Sequence, residues 1–228
     1  GFKRGLVSRL KTEPLDAILA EVRRLPPRQA VSPLLSCLSQ MEGHVKWHAV
    51  TALGLVMARM AEEDMEAARN IMRRLMWSLN DESGGVGWGA AEAMSEIMAN
   101  HEGLAREYAH ILVAALREGL SALKPLPLQR GLVWGIGRLA GERSGLLMER
   151  GAHAELPQYL DSKDPEVRGL AARALGILRV ETAKERLVAL KEDPAEISLY
   201  DRGKFETRTV GQLAGEALAF SLTPPERA

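Results

Sequence analysis

The sequence predicts an all-α fold, a right-handed α-solenoid of about five helix pairs. The first observation is a helical phrase that recurs about every 40 residues, a spacing typical of repeat architectures. The second is composition: the 228 residues are 46% hydrophobic but only 4% aromatic, which favours stacked helices over a β-sandwich. The third is a helical stretch before most copies. The phrase reads VKWHAVTALG from Val45, VGWGAAEAMS from Val86, LQRGLVWGIG from Leu128, VRGLAARALG from Val167 and VGQLAGEALA from Val210.

Each phrase is predicted to be the second helix of a pair. Apolar residues occupy the anchor and the positions four, seven and eight residues later, which lie together on one face of a helix. A small residue follows at the ninth position in every copy, and its recurrence predicts close packing between helices although glycine weakens a helix. These small residues are Gly54, Ser95, Gly137, Gly176 and Ala219.

The first helices of the pairs come before the phrases. They are predicted over Val31–Met41, Glu66–Leu79, Leu104–Leu120 and Ala183–Glu192. Asp164 before Pro165 predicts an N-cap followed by proline at the first helical position. We expect one domain over 1–228, with an N-terminal cap at 1–30, repeats at about 31–222 and a frayed tail at 223–228.

One segment departs from the helical pattern. Residues 196–209 read EISLYDRGKFETRT, and the alternation around Asp201-Arg202-Gly203 predicts a short β-hairpin. It lies between the two helices of the last pair. The hairpin is interpreted either as a cap on the end of the solenoid or as a lip over its concave surface, and the cap is favoured.

These residues resemble a known repeat. DPEVRGLAARALGIL (Asp164–Leu178) resembles the HEAT-like repeat named after phycobilisome (PBS) lyases, with the pattern D-x-x-V-R-x-x-A-A-x-A-L-G-x-L. HVKWHAVTALGLV (His44–Val56) is similar to it, and the other three copies lack the Arg after the anchor. The resemblance covers roughly residues 30–222. Two segments, Asn80–Ile97 and Arg130–Ala140, also resemble an uncharacterised HEAT-like family of anaerobic sulfate-reducing bacteria, a resemblance that implies no activity.

Charge and cysteine content limit the function classes. Thirty Lys and Arg balance thirty Asp and Glu, which argues against a surface built mainly for nucleic acid. The single cysteine, Cys37, lies in an apolar helical run and is predicted to be core. No apolar run reaches the length of a membrane span, and no signal peptide is visible. We expect a cytoplasmic monomer.

The candidate binding residues lie on the second helices, which line the concave binding surface in this class of fold. Positions two, six and ten after the anchor fall one turn apart on one face. Trp88 is expected to face Arg130, Glu92 to face Trp134, and Glu96 to face Arg138. Tryptophan and arginine are enriched in binding hot spots. The alternative interpretation is an internal staple, with Arg130 stacked on Trp88 and Glu96 paired with Arg138. The predicted site is Trp88, Glu92, Glu96, Arg130, Trp134, Arg138 and Arg173.

Other motifs carry weaker signals. The glycine cluster Ser83–Gly89 could expose amides to an anion, but a tight turn or steric relief is favoured. His44 and His48 share a helix face without the acidic residue of an HExxH motif, so no metal site is predicted. Glu92 and Glu96 are a carboxylate pair of a common surface type, so no catalytic residues are predicted. No cofactor is expected.

The favoured hypothesis is a non-catalytic scaffold that holds a protein or peptide segment on the concave face. The tryptophans would supply apolar contact area, the arginines would hold carboxylates, and the glutamates would set register or receive basic groups. One alternative is a HEAT-like DNA glycosylase or other nucleic-acid-binding enzyme, which a salt-sensitive duplex affinity would support. Another is a bilin lyase or small-molecule chaperone, which only the name of the repeat implies.

Overall fold

Helices make up most of the chain in the computed structural model, which describes residues 2–40, 43–80, 88–119 and 125–222. The chain divides into two compact units, residues 1–109 and 110–228. The helices of the first unit are α1 (Phe2–Thr12), α2 (Leu15–Arg24), α3 (Pro27–Leu35), α4 (Gly43–Glu63), α5 (Met65–Asn80) and α6 (Ala90–Asn100). Helix α7 (Glu102–Glu118) runs across the boundary between the units.

Helix α4 is the centre of the first unit. It packs against α2, α3, α5 and α6. Its predicted inward face, Val45, Ala49, Ala52 and Leu53, is fully buried, as the spacing of these residues predicts. Cys37 is buried too, which agrees with its assignment to the core.

The second unit contains the last helices and the hairpin. Its elements are α8 (Leu126–Glu149), α9 (Ala152–Glu155), a 3-10 segment (Leu156–Asp161), α10 (Pro165–Ile177), a second 3-10 turn (Glu181–Ala183), α11 (Lys184–Leu190), β1 (Glu196–Asp201), β2 (Lys204–Thr209) and α12 (Val210–Leu222). Helix α8 bends at Arg143, whose φ of −133° and ψ of 41° are not helical. Helix α10 is central here and packs on α8, α12 and β1.

The small residue at the ninth position permits the close packing that the sequence predicts in the first and fourth phrases. A Cβ on Gly176 in α10 would lie 2.5 Å from the Cα of Ala217 in α12. In the first unit a Cβ on Gly54 would lie 2.7 Å from the Cγ of Glu96 in α6. Both glycines therefore lie where one helix backbone meets the next helix of its unit.

The N-cap at the start of α10 is confirmed. The Asp164 carboxylate accepts a hydrogen bond of 2.9 Å from the Val167 amide, and Pro165 opens the helix. This geometry satisfies one of the amides that a helix N-terminus leaves without an intrahelical partner.

The hairpin forms where the alternating pattern predicts it. β1 and β2 pair antiparallel, with Asp201 opposite Lys204 across a two-residue turn. Ile197 and Leu199 point inward and are buried, while β2 is mostly exposed. The prediction of an all-α fold with a short β-hairpin is confirmed, while the assignment of the whole chain to one domain stays a prediction.

Candidate functional site

The three predicted binding residues of the first unit lie on or next to α6. Glu92 is buried and its carboxylate lies 2.9 Å from the Lys46 ammonium of α4. Glu96 is also buried and accepts a hydrogen bond of 3.1 Å from the Asn100 side chain. Trp88 is half-buried in the turn before α6, whereas the sequence predicts it inside the helix. Glu92 therefore joins α6 to α4, whereas the Glu96 bond lies within α6, and burial removes both glutamates from an open surface.

Trp134 is buried as well, with 4% of its surface exposed. Its indole Nε1 donates a 2.8 Å hydrogen bond to the carbonyl oxygen of Tyr200 in β1. The two rings lie 6.4 Å apart, and Tyr200 continues the contact to Phe205 across the hairpin. The expected role of Trp134 as open contact area for a ligand does not fit this position, because the hairpin covers the ring.

Arg130 binds the cap of the neighbouring helix. Its guanidinium lies 2.6 Å from Asp164 and 3.3 Å from Glu166. Burial alone would raise the pKa of Asp164, but the hydrogen bonds from Arg130 and from the Val167 amide outweigh it and lower that pKa below its usual value. The same hydrogen bond raises the pKa of Arg130. Arg130 thus joins α8 to α10, a contact that the staple interpretation did not anticipate.

Arg138 and Arg173 lie at a cleft of about 390 Å³ in the second unit. Three second helices and the hairpin form its walls. Helix α8 contributes Arg138 and Glu142, and α10 contributes Arg173 and Ile177. The turn after α10 contributes Arg179, and α12 contributes Leu213, Glu216 and Phe220. The hairpin contributes Leu199, Asp201, Arg202, Glu206 and Arg208 to the lining of this cleft. The interpretations of the hairpin as a cap and as a lip both stay predictions.

The cleft combines charges of both signs with apolar surface. Arg173 pairs with Asp201 at 3.0 Å, Arg138 with Glu142 at 3.3 Å, and Arg208 with Glu216. Phe220 has 46% of its surface exposed, whereas Leu199 and Leu213, which also line the cleft, are buried. Such a surface can hold carboxylates and apolar side chains at the same time.

Two arginines of the cleft have a left-handed backbone. Arg179 has a φ of 54° and Arg202 a φ of 47°. Among the described residues they are the only ones other than glycine with positive φ. The left-handed conformation costs a residue with a Cβ roughly 1–2 kcal/mol, and such strain is concentrated at functional sites.

The local motifs explain why positive φ is needed at these positions. Arg179 follows the C-cap of α10, and the amides of Arg179 and Val180 bond back to Gly176 and Leu175, the pattern of a Schellman motif that normally has glycine there. Arg202 and Gly203 are the two central residues of a hairpin turn in which both φ angles are positive, a turn that favours Asn-Gly.

Sequence reasoning missed most of this cleft. It identified Arg138 and Arg173 but not Arg179, Arg202, Arg208 or Phe220, because these lie outside the helical phrase positions that were compared. Arg202 could have been found from the sequence, because it precedes Gly203 in a predicted turn where asparagine or aspartate is usual. Arg179 had no comparable signal, since the Schellman motif that ends α10 has arginine at the position where glycine is usual.

A second exposed surface lies on α5 in the first unit. Trp77 has 74% of its surface exposed and borders a shallow depression of about 740 Å³ with Arg73 and Arg74. Arg73 pairs with Glu66 on the same helix at 2.8 Å. The sequence analysis did not single out Trp77, because it lies on a first helix.

The histidine pair supports helix packing. The His44 and His48 rings each lie within hydrogen-bond distance of a backbone carbonyl near the end of α1, at 3.2 Å from Lys11 and 3.3 Å from Leu10. Burial lowers the pKa of His48, against the opposing effect of the Leu10 carbonyl. No group of three or more potential metal ligands occurs within the described ranges.

Two further predictions, for the glycine cluster and for the C-terminal tail, fall wholly or partly outside the residues that the structure describes. Within the glycine cluster, residues 83–87 lie outside the described residues, so the anion-binding alternative stays a hypothesis. The tail at 223–228 lies outside them as well. No helix in the described part of the chain is long and apolar enough to cross a bilayer.

Comparison with known proteins finds similar structures but no similar sequence family. No family model and no curated protein matches this sequence. The chain is similar in structure to a designed armadillo repeat protein, over 97% of this chain and 100% of the other, with a TM-score of 0.54 and 20% identity. It is also similar to computationally designed armadillo repeat proteins for modular peptide recognition, over 96% and 99% of the two chains, with a TM-score of 0.54 and 19% identity.

A third similar structure is a designed armadillo repeat protein in complex with the peptide (KR)4. It matches 95% of this chain and 98% of its own, with a TM-score of 0.54 and 20% identity. Identities this low show the fold alone. The chain is therefore an all-α, armadillo-like helical repeat solenoid with a short β-hairpin.

Proposed function

We propose that this chain is a non-catalytic scaffold that binds a protein or peptide segment. The observation that carries the proposal is the cleft of the second unit, where three second helices and the hairpin bring charges of both signs beside exposed and buried apolar side chains. Peptide-binding surfaces commonly combine a few charged anchors with apolar contact area. The similar structures made for peptide recognition add support by analogy of fold.

The predicted residues take different parts in this proposal. Arg138 and Arg173 would contact the ligand directly, since both line the cleft. Trp134 and Arg130 would support the cleft walls, because Trp134 holds the hairpin and Arg130 holds the start of α10. Trp88, Glu92 and Glu96 do not line this cleft. They would contribute to binding only indirectly, through α6 of the first unit.

We also infer that the repeat is of the HEAT-like type named after phycobilisome lyases. The support is the match of DPEVRGLAARALGIL to that pattern, together with the observed Asp164 N-cap and the close approach of Gly176 to α12. Asp164 and Gly176 are two of the specified positions of that pattern.

Selection of peptides from a random library on the immobilised chain tests the function. We expect selected peptides to bind in solution and to lose at least about tenfold in affinity to the variant Arg138→Glu/Phe220→Ala, which alters charge and apolar area in the cleft. The matched control is Arg106→Glu/Met148→Ala, an exposed arginine and an exposed apolar residue outside the cleft lining.

The outcomes separate the alternatives. Equal loss in both variants, or no loss in either, would remove the cleft as the binding site. Failure to select any peptide that binds in solution would contradict the scaffold function itself.

A further inference from the structure

We propose that a peptide segment binds this chain as an extended third strand, paired with the open edge of β2. The inference rests on the proposed function and names the form in which the segment binds. It is carried by the backbone of β2, where Phe205 and Thr207 direct their amides and carbonyls away from β1.

The pairing register decides which backbone groups of β2 point outward. In an antiparallel pair, opposite residues alternate between those that exchange hydrogen bonds and those that do not. The Val210 amide donates a 2.9 Å hydrogen bond to the Ala195 carbonyl, so these two residues form a hydrogen-bonded pair at the end of the ladder. Counting back from Val210 in steps of two gives the residues of β2 that bond to β1: Arg208, Glu206 and Lys204. The backbone groups of Phe205 and Thr207 therefore point outward.

Two side-chain hydrogen bonds agree with this alternation. Tyr200 lies opposite Phe205, and its outward carbonyl accepts the hydrogen bond from Trp134. Thr209 is also at an outward position of β2, and its amide donates a 2.9 Å hydrogen bond to the Gln212 side chain. Both of these outward groups have partners within the fold, so the open part of the β2 edge lies between the turn and Thr209.

The open part of β2 is accessible. Four consecutive residues are exposed: Lys204, Phe205, Glu206 and Thr207. Within the described residues, the backbone amides and carbonyls of Phe205 and Thr207 make no hydrogen bond. An edge strand with such groups matches an extended peptide backbone in the spacing and direction of its donors and acceptors.

A strand added at this edge would extend the wall of the cleft. Leu199 of β1 and Glu206 of β2 lie opposite each other, and both line the cleft. Since opposite residues share a face of the sheet, a peptide residue opposite Glu206 would point to the cleft as well. Its two neighbours would lie beside Phe205 and Thr207, where aromatic and β-branched residues make the best cross-strand pairs. The segment therefore alternates such residues with residues that face the cleft.

The charges of β2 favour a separate peptide over a second copy of this chain. Two antiparallel β2 strands use all of these open groups in both copies only when Phe205 of one lies opposite Thr207 of the other. In that register Glu206 faces Glu206 and Lys204 faces Arg208, so like charges oppose each other. A peptide of another sequence is free of this repulsion.

The first experiment modifies the backbone of the peptide. The probe is a labelled octapeptide, selected from a random library on the immobilised chain, and fluorescence anisotropy measures its binding to the full chain. Each peptide amide is N-methylated in turn. We expect two amides, separated by one residue, to be sensitive, each with a loss of at least about tenfold in affinity, because they donate to the β2 edge. The amide between them points away from β2 and should tolerate the methyl group.

The second experiment modifies the edge. Thr207→Pro removes an outward amide and no bond of the ladder, so it should weaken binding of the same peptide at least about tenfold while the melting temperature stays within about 3 °C. Thr207→Val is the matched control, since it keeps the amide and the β-branched shape and should bind normally. NMR hydrogen exchange on the parent chain needs no substitution. The Phe205 and Thr207 amides should exchange at least about tenfold more slowly with the peptide bound.

The opposite results are equally specific. N-methylation without an alternating effect, unchanged exchange at Phe205 and Thr207, or normal binding by a folded Thr207→Pro variant would overturn the strand pairing. The scaffold function would still stand if the cleft variant Arg138→Glu/Phe220→Ala loses the peptide. Self-association that Thr207→Pro abolishes in sedimentation would make a second copy the occupant and overturn the inference. If no binding peptide can be selected, both the inference and the proposed function fall.

Discussion

The indole Nε1 of Trp134 donates a hydrogen bond of 2.8 Å to the carbonyl oxygen of Tyr200, 66 residues further along the chain. The bond joins the middle of α8 to the last part of β1, and both residues are buried. It places the hairpin against a helix of the same unit rather than leaving it as an independent two-stranded ribbon, which would be marginal in water. The cleft exists because the hairpin is held there.

Replacing Trp134 by phenylalanine should therefore loosen the hairpin. The variant keeps an aromatic ring but leaves the buried Tyr200 carbonyl without its donor, which costs about 1–3 kcal/mol of unfolding free energy. Chemical denaturation measures this loss, and hydrogen exchange should show faster exchange of the β1 amides. Trp77→Phe is the control, because Trp77 is 74% exposed and should change stability by less than about 0.5 kcal/mol. Equal effects of the two variants would contradict the holding role of Trp134.

The repeat glycine of α10 should not tolerate a methyl group. Gly176→Ala places its Cβ 2.5 Å from the Cα of Ala217, so α10 and α12 must separate, at a cost of about 1–3 kcal/mol. Gly145→Ala in α8 is the matched control, since no atom lies within 4 Å of its added Cβ and alanine favours a helix by about 0.5–1 kcal/mol. Urea unfolding of both variants should show changes of opposite sign. A stabilised Gly176→Ala would disprove the close approach.

The Asp164 carboxylate should make stability depend on acid pH. Its pKa is lowered in the folded state, so its contribution is complete above the unfolded value of about 3.9 and is lost as the pH falls through the folded value. Asp164→Asn keeps a side-chain acceptor for the Val167 amide but removes the charge that Arg130 binds.

We expect the parent chain to exceed Asp164→Asn by about 1 kcal/mol of unfolding free energy at pH 7, a modest value because Arg130 is partly exposed. The difference should vanish toward pH 2, as denaturation curves at several pH values would show. Asp161→Asn, at an exposed position nearby, should show little pH dependence of this kind. A constant difference across pH would contradict the charge-based explanation.

The buried Glu92 should depend on Lys46. Lys46→Met removes the ammonium that lies 2.9 Å from the carboxylate, which is only 3% exposed, and leaves a buried charge without its partner. We expect a loss of about 1–3 kcal/mol, reduced from the fully buried case because Lys46 is 24% exposed. The double variant Lys46→Met/Glu92→Leu should recover most of that loss in thermal and urea unfolding. Additive losses in the double variant would show that the two side chains are not coupled.

Local patterns were sufficient to locate α10, its N-cap and the hairpin. The spacing of Val167, Ala171, Ala174 and Leu175 defined the buried face of α10, because helical periodicity alone decides which side chains share a face. The alternation about Asp201-Arg202-Gly203 located the hairpin and its turn for the same reason. Asp164 was recognised as an N-cap because capping involves residues three positions apart.

The partners of the predicted binding residues were beyond such patterns. A shared face indicates a direction, but it does not say whether the neighbouring element covers that face. Trp134 is covered by a hairpin that begins more than 60 residues later, and Arg130 binds the N-cap residue of α10. The direction in which a side chain points follows from its own helix. Whether another element buries that side chain depends on segments far away in the sequence.

The sequence by itself determined the helical repeat, its inward faces, its small-residue contacts and the place of the hairpin, since each follows from period, capping or turn preference over a few residues. Only the tertiary structure decided which polar and aromatic side chains stay accessible. It buried Glu92, Glu96 and Trp134, and it brought Arg179, Arg202 and Phe220 to one cleft with Arg138 and Arg173. The physical reason is that exposure and clustering depend on contacts between segments far apart in the chain, and local spacing carries no information about those contacts.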